Sequence, residues 1–185
     1  MNFEMKKKKI FQVAIDSPAA SGAGTQAKLI SKYFNFYYLD TGKLYRILGK
    51  LFIKNNRKIN YSLFKKKIKS TKPFHLKNKN LLSNEIGITS AFLAKDKKIR
   101  VLVNEYQKKI AKNPPRKFKG VCFDGRDITY AIMPKANVKI FMTANVKIRA
   151  KRRYLELKKL GHKITFNEVL LNIKKRDKSD FTRKV

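Results

Sequence analysis

The sequence predicts an α/β domain with a mainly parallel sheet flanked by helices. Short apolar runs at 11–15, 37–39, 121–123 and 138–142 alternate with segments of helical period. Polar turns follow the first three runs, as expected where a strand hands over to a helix. The 185 residues are 43% apolar, enough for one buried core and most simply one domain.

The first run, Phe11-Gln12-Val13-Ala14-Ile15, follows four lysines and so imitates a secretory leader. Its apolar part is short, contains Gln12 and stops at Asp16, which favours a buried strand behind a basic tail, in a cytoplasmic protein. Residues 16–24 then form a small-residue loop. From Thr25 onward Ala27, Ile30 and Phe34 share a face that Lys28 and Lys32 avoid, so a helix is expected. Tyr37-Tyr38-Leu39 reads as a strand, and after Asp40-Thr41-Gly42 a second helix carries Leu44, Ile47, Leu48 and Leu51. Residues 54–84 are rich in Lys and Asn, and within them 73–76 and 81–83 are expected to pair as a hairpin. A helical stretch over 89–112, interrupted at 96–98, ends at Asn113-Pro114-Pro115. Strands at 121–123 and 138–142 follow, then a basic helix over 146–160, Gly161, and a last helix over 166–175. There is no internal repeat.

Lys and Arg number 46 against 12 acids, a formal charge of +34. Charge of that size points to an anionic partner: nucleic acid, phosphate compounds or a membrane surface. The makeup of the charge narrows this. Thirty-six cations are lysines spread along the whole chain, which reads as composition and solvated surface. The ten arginines mostly fall in or near distinctive segments, and a planar fork suits phosphate. A single cysteine, Cys122, excludes an internal disulfide and a multi-cysteine zinc site, and fits a reducing compartment. It reads as a small buried hydrophobe. No apolar run approaches the roughly 18 residues of a membrane helix, and His75 and His162 stand alone without a role.

The loop after the first strand reads Ser17-Pro18-Ala19-Ala20-Ser21-Gly22-Ala23-Gly24-Thr25. Backbone N–H groups at a helix start favour an anion there. It is not a strict G-x-x-x-x-G-K-[ST] loop: Ser17 stands at the first glycine, Ala23 at the lysine, and the hydroxyl comes late, at Thr25. Alone, such a segment is usually only a turn. Other segments add to it. Asp40-Thr41-Gly42 leads to Leu44-Tyr45-Arg46, and Asp124-Gly125-Arg126-Asp127 follows a buried strand, where ligands of open α/β sheets collect. Arg149, Arg152 and Arg153 share a helical face, and Arg176, Asp177, Asp180 and Arg183 are similarly spaced. Any one of these is most simply a surface ion pair worth almost nothing; several arginines converging near strand ends are harder to explain so.

Together these motifs resemble bacterial cytidylate kinases, P-loop kinases that move the γ-phosphoryl of ATP onto CMP and dCMP. The resemblance runs through 15–28, 38–46, 94–107, 123–128, 139–154 and 173–185, in the family's order. The patterns DTGxLYR, DGRD and the terminal KRDxxDxTR are together specific. It implies a P-loop NTPase-type fold, with a core at 10–46 and 119–148. It also implies an acceptor-binding insertion at about 47–118, poorly matched and shortened at 51–84, and a helical lid at about 149–163. The family's last strand and helix are expected to be missing.

By the same resemblance, residues from Ser17 to Thr25 wrap the ATP phosphates, with the Thr25 hydroxyl near Mg²⁺. Thr41, Tyr45, Arg46, Asp124, Arg126 and Arg183 belong to the CMP site, where Thr41, Arg46, Arg126 and Arg183 hold its phosphate. Arg100 and Asp127 read the cytosine edge, and Arg176 and Asp180 contact the sugar. The family's base-contacting serine corresponds to Ala91, with Ser90 beside it. Arg149, Arg152 and Arg153 close over ATP, and with Arg126 and Arg183 they neutralise the transferring group. Ala23 removes the loop lysine, so two alternatives stand beside a working CMP kinase: a weakened nucleotide- or nucleic-acid-binding protein on the same fold, or a kinase of another nucleoside monophosphate. The expected partners are ATP and CMP or dCMP, with no membrane, no specific nucleic acid and a monomeric state.

Overall fold

The structure, a computed structural model, describes residues 9–72, 75–76 and 78–182. Four strands form one sheet: β1 (Phe11–Asp16), β2 (Phe36–Asp40), β3 (Gly120–Gly125) and β4 (Val138–Phe141). All pairings are parallel and the order is β2-β3-β1-β4. Parallel neighbours need crossovers, and the connections between strands carry the helices that cover both faces.

Alternation along the strands decides which helix packs where. Val13, Ile15 and Cys122 point to one face, with Ala23 and Ala27 of α1 (Ala23–Tyr33) upon them. Ala14, Tyr37, Leu39, Val121 and Phe123 point to the other. There they meet Leu44, Ile47 and Leu48 of α2 (Thr41–Lys54), Phe64 and Ile68 of α3 (Tyr61–Lys69), Leu93 of α4 (Asn84–Leu93), and Ile99 and Val103 of α5 (Lys97–Lys112). Cys122 is a buried free thiol, and burial pushes its pKa up to about 11, as for an inert packing residue.

A third cluster lies apart from the sheet. Ala150 and Leu157 of α6 (Val146–Lys159) pack on Val169 and Ile173 of α7 (Phe166–Phe181). Thr165 and Glu168 close a capping box that starts α7. This helix runs beyond the expected 175, which carries Arg176, Asp177 and Asp180 on helical geometry.

Two expectations for 54–84 are corrected. Residues 81–83 are not a strand, because Lys79–Leu82 form one turn of 3₁₀-helix. The Asn78 carboxamide accepts from Asn80 N at 2.9 Å, and such local bonding competes with a sheet ladder. Pro73 and Phe74, from the other half of the expected hairpin, lie outside the described residues, as does Arg183. A helix, α3, stands where only a polar stretch was read. The Asn60 side chain accepts from Leu63 N at 2.9 Å to start it, and it buries Phe64 and Ile68 beneath its lysines. Among the described residues no helix is long and apolar enough to cross a membrane.

Candidate functional site

A cleft of about 590 Å³ opens at the carboxyl ends of β2 and β3, bounded by α2, α4, α5, α6 and α7. It brings together Thr41, Tyr45, Arg46, Arg100, Asp124, Arg126, Asp127, Arg153, Arg176 and Asp180, which the motifs had singled out separately. Ala19 and Ala20 contribute from the loop after β1. The remaining loop residues, Arg149 and Arg152 lie outside its lining.

The loop is held from below and from the side. Ser17 N donates to Gly125 O at 3.1 Å, which ties the loop to the end of β3. Ala20 and Gly22 take left-handed backbone angles, φ 59° and 100°, and Gly22 then caps α1. That pair turns the chain sharply into the helix, whose first N–H groups lack intrahelical acceptors. From α6, Arg149 Nη1 donates to Ala19 O at 3.1 Å and Arg152 Nη1 to Ser21 O at 3.0 Å. Arg149 is buried, donates to Ala144 O, and grips both oxygens of Asp177 at 3.2 and 2.6 Å.

The turn after β3 is fixed by a residue the sequence reading did not single out. The Asp16 carboxylate accepts from Ile128 N at 2.7 Å, Thr129 N at 3.0 Å and the Thr129 hydroxyl at 2.5 Å. These bonds anchor one turn of π-helix, Ile128–Ile132, and hold Asp127 at φ 64°. Gly125 has its own reason: a β-carbon there would collide with Thr41 Oγ1. The Thr41 hydroxyl sits that close because it donates to Asp124 O at 2.9 Å. A buried carboxylate at a strand's end was the one available signal for Asp16, since such a group needs donors.

Charged pairs order the walls. Arg100 meets Asp127 at 2.9 Å, and Arg126 Nε meets Asp180 at 2.8 Å. Arg46 donates to Leu81 O at 2.7 Å, and Arg153 pairs with Glu156 at 2.6 Å while donating to Leu82 O. Ser90 lines the cleft beside Ala91, its hydroxyl committed to Gly87 O at 2.9 Å. Even so, cations dominate. Burial, then Arg126, pushes the Arg176 guanidinium down to about 10, against the pull of Asp180. Burial, then Arg153, lowers Arg46 as well. Guanidiniums destabilised by burial and by one another define a place where an anion relieves the strain.

Asp124 differs. Burial, reinforced by Asp40, pushes its carboxyl up to about 7. Among the described residues its Oδ1 is buried with no partner at hydrogen-bond geometry, although the Tyr38 hydroxyl interacts with the carboxylate, and its Oδ2 lies 3.3 Å from where a β-carbon of Gly24 would stand. An acceptor so placed, next to the start of α1, suits a cation.

A family model described as cytidylate kinase matches residues 13–185. The cytidylate kinase of Thermosipho melanesiensis is 39% identical over 185 residues, covering 94% of this chain and 82% of that protein. That of Bartonella tribocorum is 37% identical over 179 residues, 95% of this chain and 80% of its own. That of Fusobacterium nucleatum is 38% identical, with 93% and 82% covered.

Proposed function

The chain belongs to the cytidylate kinase family, and from that premise we propose how its residues divide the work of an ATP-dependent CMP and dCMP kinase. The convergence of Arg46, Arg126, Arg153 and Arg176 on one cleft supports this best. Phosphoryl transfer between two nucleotides gathers several negative charges, and catalysis of it is mainly positioning and electrostatics.

The loop from Ser17 to Thr25 receives the ATP phosphates on its N–H groups. Thr41, Arg46, Arg126 and Arg183 hold the CMP phosphate, while Tyr45 and Asp124 border the same pocket. Arg100 and Asp127, paired across it, present a donor and an acceptor to the cytosine edge. A site built on such hydrogen bonds rejects a base that leaves them unmet. Arg176 and Asp180 face the sugar, and the lid arginines act on ATP, Arg149 and Arg152 from beside the loop and Arg153 from the wall of the cleft. Residues 10–46 and 119–148 act as the core, about 47–118 as the acceptor side and about 149–163 as the lid.

Mg²⁺ accompanies ATP in this reading. The buried Asp124 carboxyl, its Oδ1 without a partner at hydrogen-bond geometry among the described residues and Asp40 beside it, fits an ion that takes one or two carboxylates and otherwise keeps waters and phosphates. Thr25, at the first turn of α1, adds a hydroxyl. When bound, the ion neutralises phosphate charge. We further place the protein in the cytoplasm as a monomer, with only salt-sensitive, non-specific contact to nucleic acid.

The test is a coupled assay with ATP, Mg²⁺ and each of CMP, dCMP, UMP and AMP. CMP and dCMP are expected to be the best acceptors, and preference for UMP or AMP overturns the base assignment. A second reading, a binder that does not turn over, draws on Ala23, which leaves the loop without its own cation. Nucleotide binding without product in the same assay would select it.

A further inference from the structure

Position 23 is where a loop of this pattern carries a lysine, and here it is alanine. Its side chain is 3% exposed, packed with Val13, Ile15, Ala27 and Cys122. The phosphate loop therefore has no cation of its own, and the cations bonded to it come from α6. We propose that Arg152 stands in for the missing lysine, supplying from α6 the charge that the loop lacks; this rests on the ATP-dependent kinase reading above.

Geometry selects Arg152. Its Nη1 donates to Ser21 O at 3.0 Å and lies 3.5 Å from where a β-carbon of Gly22 would stand. Gly22 is the immediate neighbour of Ala23. Among the described residues the remaining donors of Arg152 make no hydrogen bond, so they are open to phosphate oxygens. The other candidates are committed. Arg149 is 5% exposed and bonds Ala144 O, Ala19 O and both oxygens of Asp177. Arg153 bonds Glu156 and Leu82 O, away from the loop. Lys43 lies 3.8 Å from Asp40 on α2.

The chemistry asks for a fixed positive charge and nothing more. An oxygen of the CMP phosphate, unprotonated above its second pKa of about 6, forms a bond to the γ-phosphorus. The bond from that phosphorus to the bridging oxygen breaks, and its electron pair stays on ADP. Charge builds on the bridging oxygen and redistributes over the γ oxygens. A guanidinium held at the loop offsets it without gaining or losing a proton. On this account the loop becomes a complete phosphate site only with α6 against it.

The test uses the full chain, assayed with ATP, Mg²⁺ and CMP. Arg152→Ala is expected to lower kcat by about 10²–10³-fold, with the CMP KM changed by less than about threefold. Adding Ala23→Lys to that variant is expected to recover roughly tenfold or more of the lost kcat, a larger factor than it gives wild type. If circular dichroism shows that Ala23→Lys prevents folding, ethylguanidinium added to Arg152→Ala replaces it, with saturable recovery expected. A wild type that makes no CDP overturns the kinase reading and this inference with it. An active wild type whose Arg152→Ala retains kcat, or whose loss neither rescue reduces, overturns the inference alone.

Discussion

A carboxylate at the end of a buried parallel strand must find donors or a cation, or else keep its proton. Asp16 and Asp124 show both outcomes side by side. Asp16 finds three donors in the 128–129 turn, whereas Asp124 is pushed up to about 7 by burial and by Asp40. The raised value has a sign. Between about pH 4 and 7 the folded protein binds a proton that the unfolded chain has released, so stability falls as pH rises through this window. Asp124→Asn removes that loss. Melts without nucleotide or Mg²⁺ should show its Tm above wild type at pH 8 and the two converging near pH 4. Each kcal/mol recovered is worth about 2–4 °C. Parallel pH profiles would contradict the burial argument. The paired Arg100 and Asp127 give a second expectation. Removing either breaks this part-buried pair and costs on the order of 1–3 kcal/mol. Arg100→Ala and Asp127→Ala should therefore lower kcat/KM for CMP far more than they weaken ATP binding, and unchanged values would remove them from the base-reading role. Asp127 and Arg100 were legible as motif residues. Asp16's role was not, because its partners lie more than a hundred residues along the chain.

At the scale of elements, period and punctuation placed all four strands and most helices. Sheet alternation is short-range physics, and it survives folding because each face meets its own helices. What failed was 54–84, where lysine and asparagine hide the pattern. In α3 only Phe64 and Ile68 are buried, too few to stand out among lysines. The turn from Asp124 to Ile132 is the element on which the site depends most, and Asp16 holds it. Asp16→Ala leaves the Ile128 and Thr129 amides without their acceptor, a penalty of about 1–3 kcal/mol each if water cannot reach them. The CMP KM should rise more than the ATP KM, because Arg126 and Asp127 ride on that turn. Asp16→Asn, which keeps one acceptor oxygen, should restore part of the loss. Equal effects on both substrates would mean that the turn is only structural support.

For the whole molecule, charge and fold answer different questions. The +34 is mostly lysine and spread along the chain, while the cleft is defined by arginines from α2, α6, α7 and the turn after β3. Any affinity for nucleic acid should then fall steeply and linearly in log salt, through counterion release. Sequence-selective binding that persists at about 0.2 M salt would contradict this. The order of the motifs was readable in the chain, and so was the convergence of their arginines near strand ends; the individual contacts were not, since Arg46, Arg126 and Arg176 become neighbours only through the parallel crossovers. The central claim is that this shared cleft transfers a phosphoryl group between two nucleotides. It is tested most directly by phosphorus NMR of the protein with ATP, CMP and Mg²⁺. The account requires CDP and ADP to appear together in equal amounts; ADP without CDP, or unchanged ATP alongside bound nucleotide, would contradict it.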